Sequence, residues 1–419
     1  MTEIVKKIDS FTKIIQELKE RRDRIISGKY NCIPLPFKRF KSLFPGTEKR
    51  KYIIITANQK VGKSKLADYL YIYEPLFFMM EHEELRVKVL YFTLEMSAED
   101  KKLEFMSYLL YKLDNIHISP TDLKSVNSDN PVDPHIFELL SSDKYQPYLE
   151  KFTKMVTYID DVRNPTGINK ACREYGLQHG TLNKKTIQVM NPMTSKKENK
   201  EVVDTDNPYT PNDPELYKVV ILDNASNLTL ESGMNKMQTI DKMSKYAITL
   251  RNQLQYIFVL IQHQAQAQEG IENIKMGRMF PTSDGLADCK TTSRDCNMML
   301  GIYSPFKFNL DKYEGYDITK LRNYSRFLIM CEDRDYGAGG CICPLFFDGA
   351  SSYFYELPLP NDKAGIEKVY NYISYLENLK KNKSSTNNTV MFSLVLKNIK
   401  SFSMRLFNAN FVESNKIKK

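Results

Sequence analysis

Residues 57–64 read Ala57-Asn58-Gln59-Lys60-Val61-Gly62-Lys63-Ser64. The apolar run YIIIT (52–56) precedes this stretch and the helical KLADYLYIY follows it, so a strand leads in and a helix leads out. In such a turn the backbone amides can surround phosphate groups at the amino end of the helix. Lys63 can then reach the β- and γ-phosphates of a nucleotide, and the Ser64 hydroxyl can bind Mg²⁺. Ala57 stands where this phosphate-loop pattern usually has its first glycine.

On both sides of this loop, short apolar runs alternate with helical stretches. The runs are YIIIT (52–56), KVLYFTL (88–94), MVTYID (155–160), KVVILD (218–223), YIFVLIQ (256–262), MMLGIY (298–303) and FLIMC (327–331). Continuous apolar strands separated by helices are typical of a parallel sheet that is buried on both faces. We therefore predict an α/β fold with a mostly parallel sheet covered by helices on both faces.

Two of the predicted strands lead into acidic residues. Glu95 follows the run KVLYFTL, and Asp223 ends the run KVVILD. In an open parallel sheet, side chains at the carboxyl ends of strands face the ligand crevice. Asp223 can then hold Mg²⁺ through water, and Glu95 can accept a proton from an attacking water. The alternative for either residue is a solvated acid at the end of a strand.

Further motifs occur in a fixed order over roughly residues 28–357. They are ITANQKVGKS, Leu94-Glu95-Met96-Ser97, YIDD, VVILDN, VLIQHQ, SDGLADCKTTSRDCNMMLGIY and RDYGAGG. In this order they resemble the ATPase domain of DnaB-like replicative helicases, a hexameric RecA-fold family of bacteria and their phages. Members of that family often carry alanine at the place of Ala57. The resemblance implies an ATP- and Mg²⁺-dependent DNA helicase that translocates on single-stranded DNA and unwinds duplex DNA as a ring.

The resemblance also implies roles for particular residues. Residues 57–64 bind the nucleotide, with Lys63 and Ser64 as the phosphate and Mg²⁺ ligands. Asp223 becomes the second acid of the Mg²⁺ site, and Glu95 becomes the catalytic base. His263 corresponds to the polar sensor that couples the γ-phosphate to DNA-binding loops, with Gln262 beside it as the competing candidate.

Arg334 matches the arginine that the family supplies to the nucleotide of a neighbouring subunit. A guanidinium in that position can stabilise transition-state charge only when the ring is assembled. The sequence departs from the family at Glu332, where a second basic residue is usual. Arg326 and Lys320 are candidates to replace that cation.

The segment 283–297 corresponds to the family's central-channel loop, although it lacks the usual arginine. It contains Lys290 and Arg294, which we predict to contact DNA phosphates, with an ordinary surface loop as the alternative. Binding without sequence preference needs only cations and amides placed along the backbone. The net charge of +9 fits such a polyanionic partner, and it equally fits a basic surface kept for solubility.

Composition excludes several other classes of protein. With 42% apolar and 26% charged residues, the chain is typical of a globular protein with a packed core. The seven cysteines form no CxxC pair and are odd in number, so we predict reduced thiols and no zinc site. No apolar run approaches the length of a membrane span, and the amino terminus lacks a signal-peptide pattern. We expect a cytoplasmic protein of a bacterial cell or a phage-infected host.

The sequence predicts three regions. Residues 1–27 form an amphipathic helix that docks either on its own domain or on a neighbouring subunit. Residues 28–360 form the RecA-like domain, in which the polar segment 176–216 is an inserted hairpin or a mobile excursion. Residues 361–419 form a helical tail with a polar linker at 382–389. Its last amphipathic stretch folds back or docks on a partner.

Two other functions remain open at this point. One is a RecA-type recombinase or another nucleic-acid motor that does not unwind DNA. The other is a nucleotide-gated loader or scaffold with little hydrolysis. The favoured function is a compact, phage-like helicase whose expected partners are single-stranded DNA, five further copies of the chain, and a primase or a loader.

Overall fold

A computed structural model describes residues 2–127, 131–190, 196–270, 272–273 and 276–383. Its strands are β1 (Ile33–Pro34), β2 (Gly46–Thr47), β3 (Lys51–Ala57), β4 (Arg86–Thr93), β5 (Val156–Ile159), β6 (Gly180–Leu182), β7 (Lys184–Met190), β8 (Lys197–Val203), β9 (Tyr209–Pro211), β10 (Leu216–Asp223), β11 (Ile257–His263), β12 (Met298–Tyr303), β13 (Lys312–Tyr313), β14 (Tyr316–Asp317), β15 (Ser325–Asp333), β16 (Ile342–Asp348) and β17 (Tyr353–Glu356).

The helices are α1 (Thr2–Ile26), α2 (Lys38–Lys41), α3 (Lys63–Asp68), α4 (Glu74–Glu81), α5 (Ala98–Asp114), α6 (Pro120–Leu123), α7 (Pro134–Leu140), α8 (Gln146–Met155), α9 (Pro165–Gln178), α10 (Lys236–Leu254), α11 (Thr292–Asp295), α12 (Ile318–Leu321) and α13 (Lys363–Lys383). Most of the predicted linker and the last amphipathic stretch lie outside the described residues. None of the helices in the described part of the chain is long and apolar enough to cross a membrane.

The chain divides into two compact units. The first contains residues 1–98, 148–303 and 328–343, and the second contains the remaining segments. The predicted nucleotide, sensor and DNA-binding residues all belong to the first unit. The domain boundaries predicted at residues 27 and 360 stay predictions.

The first unit is built on a parallel sheet. Six of its strands pair in the order β12-β3-β11-β10-β4-β5, and each neighbouring pair is parallel. Residues 328–333 of β15 belong to the same unit and lie beside β12. All residues of β10 are buried, as are six of the seven residues in both β3 and β11. Strands buried along their whole length need cover on both faces, so the predicted α/β fold is confirmed.

Helices α9 and α10 cover one face of this sheet. Helix α10 starts with a capping box, in which the Asn235 side chain accepts from the Gln238 amide and the Gln238 side chain caps the Asn235 amide. Met243, Ala247 and Leu250 recur at helical spacing on its buried side and join the core cluster over the sheet. Burying a side chain of the size of Met243 or Leu250 contributes about 1.5–3 kcal/mol. The helix is therefore held by packing along its length and by its cap at one end.

The second unit combines helices with the antiparallel pair β16–β17, which joins Leu345–Asp348 to Tyr353–Glu356. Tyrosine hydroxyls tie its helices together, since Tyr111 and Tyr372 lie 2.7 Å apart in a buried hydrogen bond. Arg326 is also buried in this unit and donates to the Asn323 carbonyl at 2.7 Å. Burial lowers the pKa of its guanidinium to about 9.

The polar segment 176–216 forms two small antiparallel ladders, β6 with β9 and β7 with β8. The insert is attached to the sheet by a buried chain of hydrogen bonds. Lys218 of β10 donates to the Tyr209 hydroxyl at 2.6 Å, and that hydroxyl donates to the Gly176 carbonyl at 2.7 Å.

Lys218 predicts a pH dependence of stability. Burial, with a smaller contribution from Lys49, lowers the pKa of Lys218 to about 7, whereas its unfolded value is near 10.5. Between these values the unfolded chain holds a proton that the folded chain has released, so raising the pH favours folding. The unfolding free energy should rise by up to about 1.4 kcal/mol per pH unit between pH 7 and 9 through this residue.

Urea unfolding of the wild type and of Lys218→Met at pH 7, 8 and 9 measures this effect. The difference between the two proteins isolates Lys218 from Lys49, whose pKa burial lowers to about 8 and which acts in the same direction. Parallel stability curves for the two proteins would show that Lys218 does not titrate in this range.

Candidate active site

The phosphate-loop residues lie where β3 meets α3. The backbone at Lys60 and Gly62 is left-handed, with φ of 61° and 109°, and Gly62 is the amino cap of α3. A side chain is strained at a φ of 109°, which explains the glycine at position 62, whereas the φ of Lys60 lies in the small left-handed region that other residues also adopt. The turn leaves the first amides of α3 without helical partners and directs them at the loop, which is the geometry that binds phosphate.

Lys63 and Asn58 are buried inside this loop. Lys63 is only 6% exposed, and its ammonium donates to the Asn58 carbonyl at 3.2 Å. The side-chain oxygen of Asn58 is buried and has no hydrogen-bond partner among the described residues. A buried cation in such a loop fits an anionic ligand, whereas the Asn58 oxygen is an acceptor and needs a donor.

The two carboxylates lie at the same edge of the sheet as this loop. Strands β10 and β4 are in register, with Asp223 opposite Thr93, so both strands end together. Asp223 is buried and accepts a hydrogen bond from the Tyr91 hydroxyl at 2.9 Å. Glu95 is exposed and accepts from the side-chain amide of Asn224 at 2.6 Å. A buried acid next to an exposed one suits a metal ligand and a proton acceptor respectively.

The structure separates the two sensor candidates. His263 ends β11 opposite Ala57, and burial, followed by the charge of Lys63, lowers its pKa to about 4. The imidazole is therefore neutral near pH 7 and is sensitive to charge at the phosphate loop. Gln262 is fully buried, and its amide donates to the carbonyls of Ala287 and Cys289, both at 2.7 Å.

The predicted DNA-binding residues follow the segment 287–289, whose carbonyls Gln262 binds. Lys290 and Arg294 are both exposed. Lys290 follows directly after Cys289, which the Gln262 amide holds, whereas Arg294 lies on the short helix α11. The strand carrying His263 is thus connected through Gln262 to the loop that carries Lys290.

Arg334 lies at the opposite edge of the sheet from the phosphate loop. Its backbone amide donates to the Asn297 carbonyl at 3.1 Å, and the Asn297 amide donates to the Tyr52 carbonyl at 2.7 Å. Tyr52 is near the amino end of β3, whereas Lys63 lies beyond its carboxyl end. The length of β3 separates the two edges by about 20 Å, which exceeds the reach of an arginine side chain.

Arg251 of α10 is a neighbour of Arg334 that sequence reasoning missed. Its guanidinium donates to the Asn297 side chain at 2.5 Å and to the Asp295 carbonyl at 3.1 Å. Burial lowers the pKa of Arg251, and the positive charge of Arg334 lowers it further. The two arginines therefore form a basic pair at the amino edge of the sheet, and nothing in the sequence spacing relates them.

Comparisons with known proteins show which solved structures the fold is similar to. No protein-family model and no curated protein matches the chain. A solved structure described as an ATPase domain has a TM-score of 0.55 and 13% identity, covering 82% of this chain and 99% of that chain. A DnaB-like replicative helicase, solved in a study of its interactions with primase, has a TM-score of 0.54 and 13% identity, covering 84% of this chain and 73% of that chain.

These similarities establish the fold. The chain has the RecA-like α/β architecture of helicase ATPase domains over most of its length. The resemblance to DnaB-like helicases, first inferred from the motifs, is confirmed at the level of structure. Structural similarity at 13% sequence identity shows the fold alone. The roles of individual residues depend on the geometry of the site itself.

Proposed function

We propose that this chain is the ATP-driven motor of a ring-forming replicative DNA helicase, which translocates on single-stranded DNA and unwinds duplex DNA. The observation that carries the proposal is the division of the site between two edges of one sheet. Lys63, Asp223 and Glu95 lie at the carboxyl edge, and Arg334 lies at the amino edge. One copy therefore supplies the nucleotide pocket, and the next copy supplies the arginine.

In this proposal the loop amides and Lys63 hold the phosphates of ATP. Ser64 and Asp223 would hold Mg²⁺, which would supply positive charge to the phosphate oxygens. Water attacks the γ-phosphorus, the bond from that phosphorus to the bridging oxygen breaks, and the proton of the water passes to the Glu95 carboxylate. The products are ADP and inorganic phosphate. The neighbour's Arg334 stabilises the negative charge of the transition state.

The amino-terminal helix supports assembly into a ring. Phe11, Ile14, Ile15 and Leu18 are 67%, 48%, 52% and 59% exposed. Only the carboxyl end of α1 is fastened to its own unit by ion pairs among the described side chains, chiefly from Arg24 to Glu215 at 2.5 Å. An apolar stripe of this kind is stabilised by burial against another surface, which we assign to a second copy.

Partners follow from the same proposal. Lys290 and Arg294 present exposed cations for DNA phosphates, and the net charge of +9 favours the same partner. Gln262 connects the Lys290 loop to the strand carrying His263, so nucleotide and DNA can influence each other through β11. A hexameric ring, a primase or loader as partner, and a cytoplasmic location complete the proposed function.

Glu95→Gln should retain ATP binding and lose ATP hydrolysis by about 10²–10⁴-fold, because it removes a proton acceptor and leaves the phosphate loop intact. Fluorescent-nucleotide binding and phosphate release measure the two effects separately. A forked duplex with a free 5′ tail should be unwound by the wild type with ATP and should stay paired with Glu95→Gln.

The outcomes of that assay distinguish the rival functions. Strand exchange without unwinding would support a recombinase. Negligible turnover by the wild type together with ATP-dependent assembly would support a loader or scaffold. Loss of nucleotide affinity in Glu95→Gln with residual turnover would show that Glu95 is a ligand and not the base.

A further inference from the structure

Asn224 connects the proposed base to a distant loop. Its side-chain amide donates to Glu95 Oε2 at 2.6 Å, and its side-chain oxygen accepts from the Ser226 amide at 3.0 Å. The Ser226 hydroxyl donates in turn to Asp288 Oδ2 at 2.6 Å. We name Glu95, Asn224, Ser226 and Asp288 the base-to-loop chain. It joins the ends of β4 and β10 to the loop that precedes Lys290.

The far end of the base-to-loop chain is firmly held. The Ala287 amide donates to the His263 carbonyl at 2.9 Å, and Gln262 binds the carbonyls on both sides of Asp288. Asp288 itself has a positive φ of 62°, which is uncommon for a residue other than glycine. Because the backbone on both sides of Asp288 is held, Asp288 moves together with its loop. A displacement of the loop therefore takes the Asp288 carboxylate away from Ser226.

At the Glu95 end of the base-to-loop chain, the backbone is fixed and only the Glu95 side chain can rotate. The Leu94 amide donates to the Asp223 carbonyl at 2.7 Å, and the Arg163 side chain donates to the Leu94 carbonyl. The backbone before Glu95 is thus held from two sides. Because Asn224 is buried and bound to the exposed carboxylate, it determines where that carboxylate points.

We propose that Asn224 is a positioning residue that restrains Glu95 in the absence of DNA, and that DNA bound beside Lys290 releases Glu95 through the base-to-loop chain. The inference rests on the proposed function and adds a regulatory step to it. A carboxylate that accepts an amide hydrogen bond has a lone pair occupied and is turned toward Asn224. Breaking the chain at Ser226 and Asp288 frees Asn224 to move and frees Glu95 to accept the proton of the attacking water.

Two substitutions separate this role from a structural one. Asn224→Ser keeps an oxygen that can cap the Ser226 amide, since serine is a favoured capping residue, but it is too short to reach Glu95. Asn224→Ala removes both contacts. We expect both variants to raise the DNA-independent kcat by about tenfold, the factor for losing one hydrogen bond to a charged group.

The KM for ATP and the DNA-saturated kcat should stay near wild type, so the stimulation by single-stranded DNA should fall about tenfold. A capping role alone predicts the opposite pattern, with Asn224→Ser like the wild type and Asn224→Ala less stable and slower under both conditions. Wild-type basal and stimulated rates in full-length Asn224→Ser would overturn the inference.

Ser226→Ala interrupts the same chain one step further on. It should also raise the DNA-independent kcat. The double variant Asn224→Ser, Ser226→Ala should have a DNA-independent kcat close to that of the single variants, because the two residues act in series. Multiplied effects in the double variant would contradict a single chain. Wild-type protein without DNA-stimulated hydrolysis would overturn the proposed function and this inference together. An active wild type, an inactive Glu95→Gln and an unchanged Asn224→Ser would overturn the inference alone.

Discussion

Arg334→Ala subunits should bind ATP normally and lose DNA-stimulated hydrolysis by about 10³-fold, the low end of the range for arginine fingers. The reason is geometric. Arg334 is held through Asn297 at the amino end of β3, and the phosphate loop lies beyond the carboxyl end of the same strand. In the proposed ring, the substitution therefore leaves the pocket of its own subunit unchanged and removes a charge from the pocket of its neighbour. Nucleotide binding and steady-state phosphate release measure the two effects.

Mixing two inactive proteins tests whether Arg334 acts between subunits. In rings made of Arg334→Ala and Lys63→Ala subunits, some interfaces pair an intact Lys63 with an intact Arg334. Part of the ATPase activity should return on mixing, while unwinding stays poor because inactive interfaces interrupt the ring.

The matched control replaces Lys63→Ala with the double variant Lys63→Ala, Arg334→Ala, since no interface in that mixture is complete. Recovery with the double variant would show that recovery does not depend on Arg334. Verified co-assembly without recovery for the single variants would place Arg334 in its own subunit's chemistry or in a structural role.

Lys63→Ala should reduce ATP hydrolysis by roughly 10³-fold and weaken ATP binding as well. Its ammonium is buried in the loop and donates to the Asn58 carbonyl, so the substitution removes the buried cation of the loop. Lys170→Ala is a suitable control, because it removes the same charge from a side chain that is 76% exposed on α9. The control should hydrolyse ATP at the wild-type rate.

Wild-type turnover in purified Lys63→Ala would remove the basis of the nucleotide-site assignment. Differential scanning calorimetry of both variants without nucleotide provides the folding check. ATP should raise the melting temperature of Lys170→Ala and have little effect on Lys63→Ala, because only bound ligand stabilises the folded state.

Local sequence patterns were sufficient to predict the fold and part of the candidate site. The strand KVVILD was predicted at residues 218–223 and β10 spans Leu216–Asp223, because a fully buried parallel strand has a continuous apolar pattern. Lys63 and Asp223 were predictable for a related reason, since a phosphate loop and a strand-end acid are short segments with local geometry. Their roles remain predictions until the variants are measured.

The remaining features depend on contacts between residues far apart in the sequence. Asn224 follows a predicted strand, but its contact with Glu95 requires that β4 and β10 be neighbours in register. Arg251 meets Arg334 only because Asn297 binds near both. The spacing of these residues along the sequence does not predict that Asn224 contacts Glu95 or that Arg251 lies near Arg334. The different surroundings of Gln262 and His263 could not be predicted either, because adjacent residues of a strand point to opposite faces.

Lys63 and Arg334 lie at opposite edges of the sheet, so the two edges of a subunit are chemically different. An interface that joins one copy's carboxyl edge to another's amino edge is heterologous, so it repeats head to tail. A two-fold dimer, which buries the same patch on both copies, cannot complete either pocket. An open head-to-tail chain always ends in one incomplete pocket, and only closure into a circle makes the number of working pockets equal to the number of subunits. In the proposed mechanism, the catalytic rate per subunit is therefore a readout of ring closure.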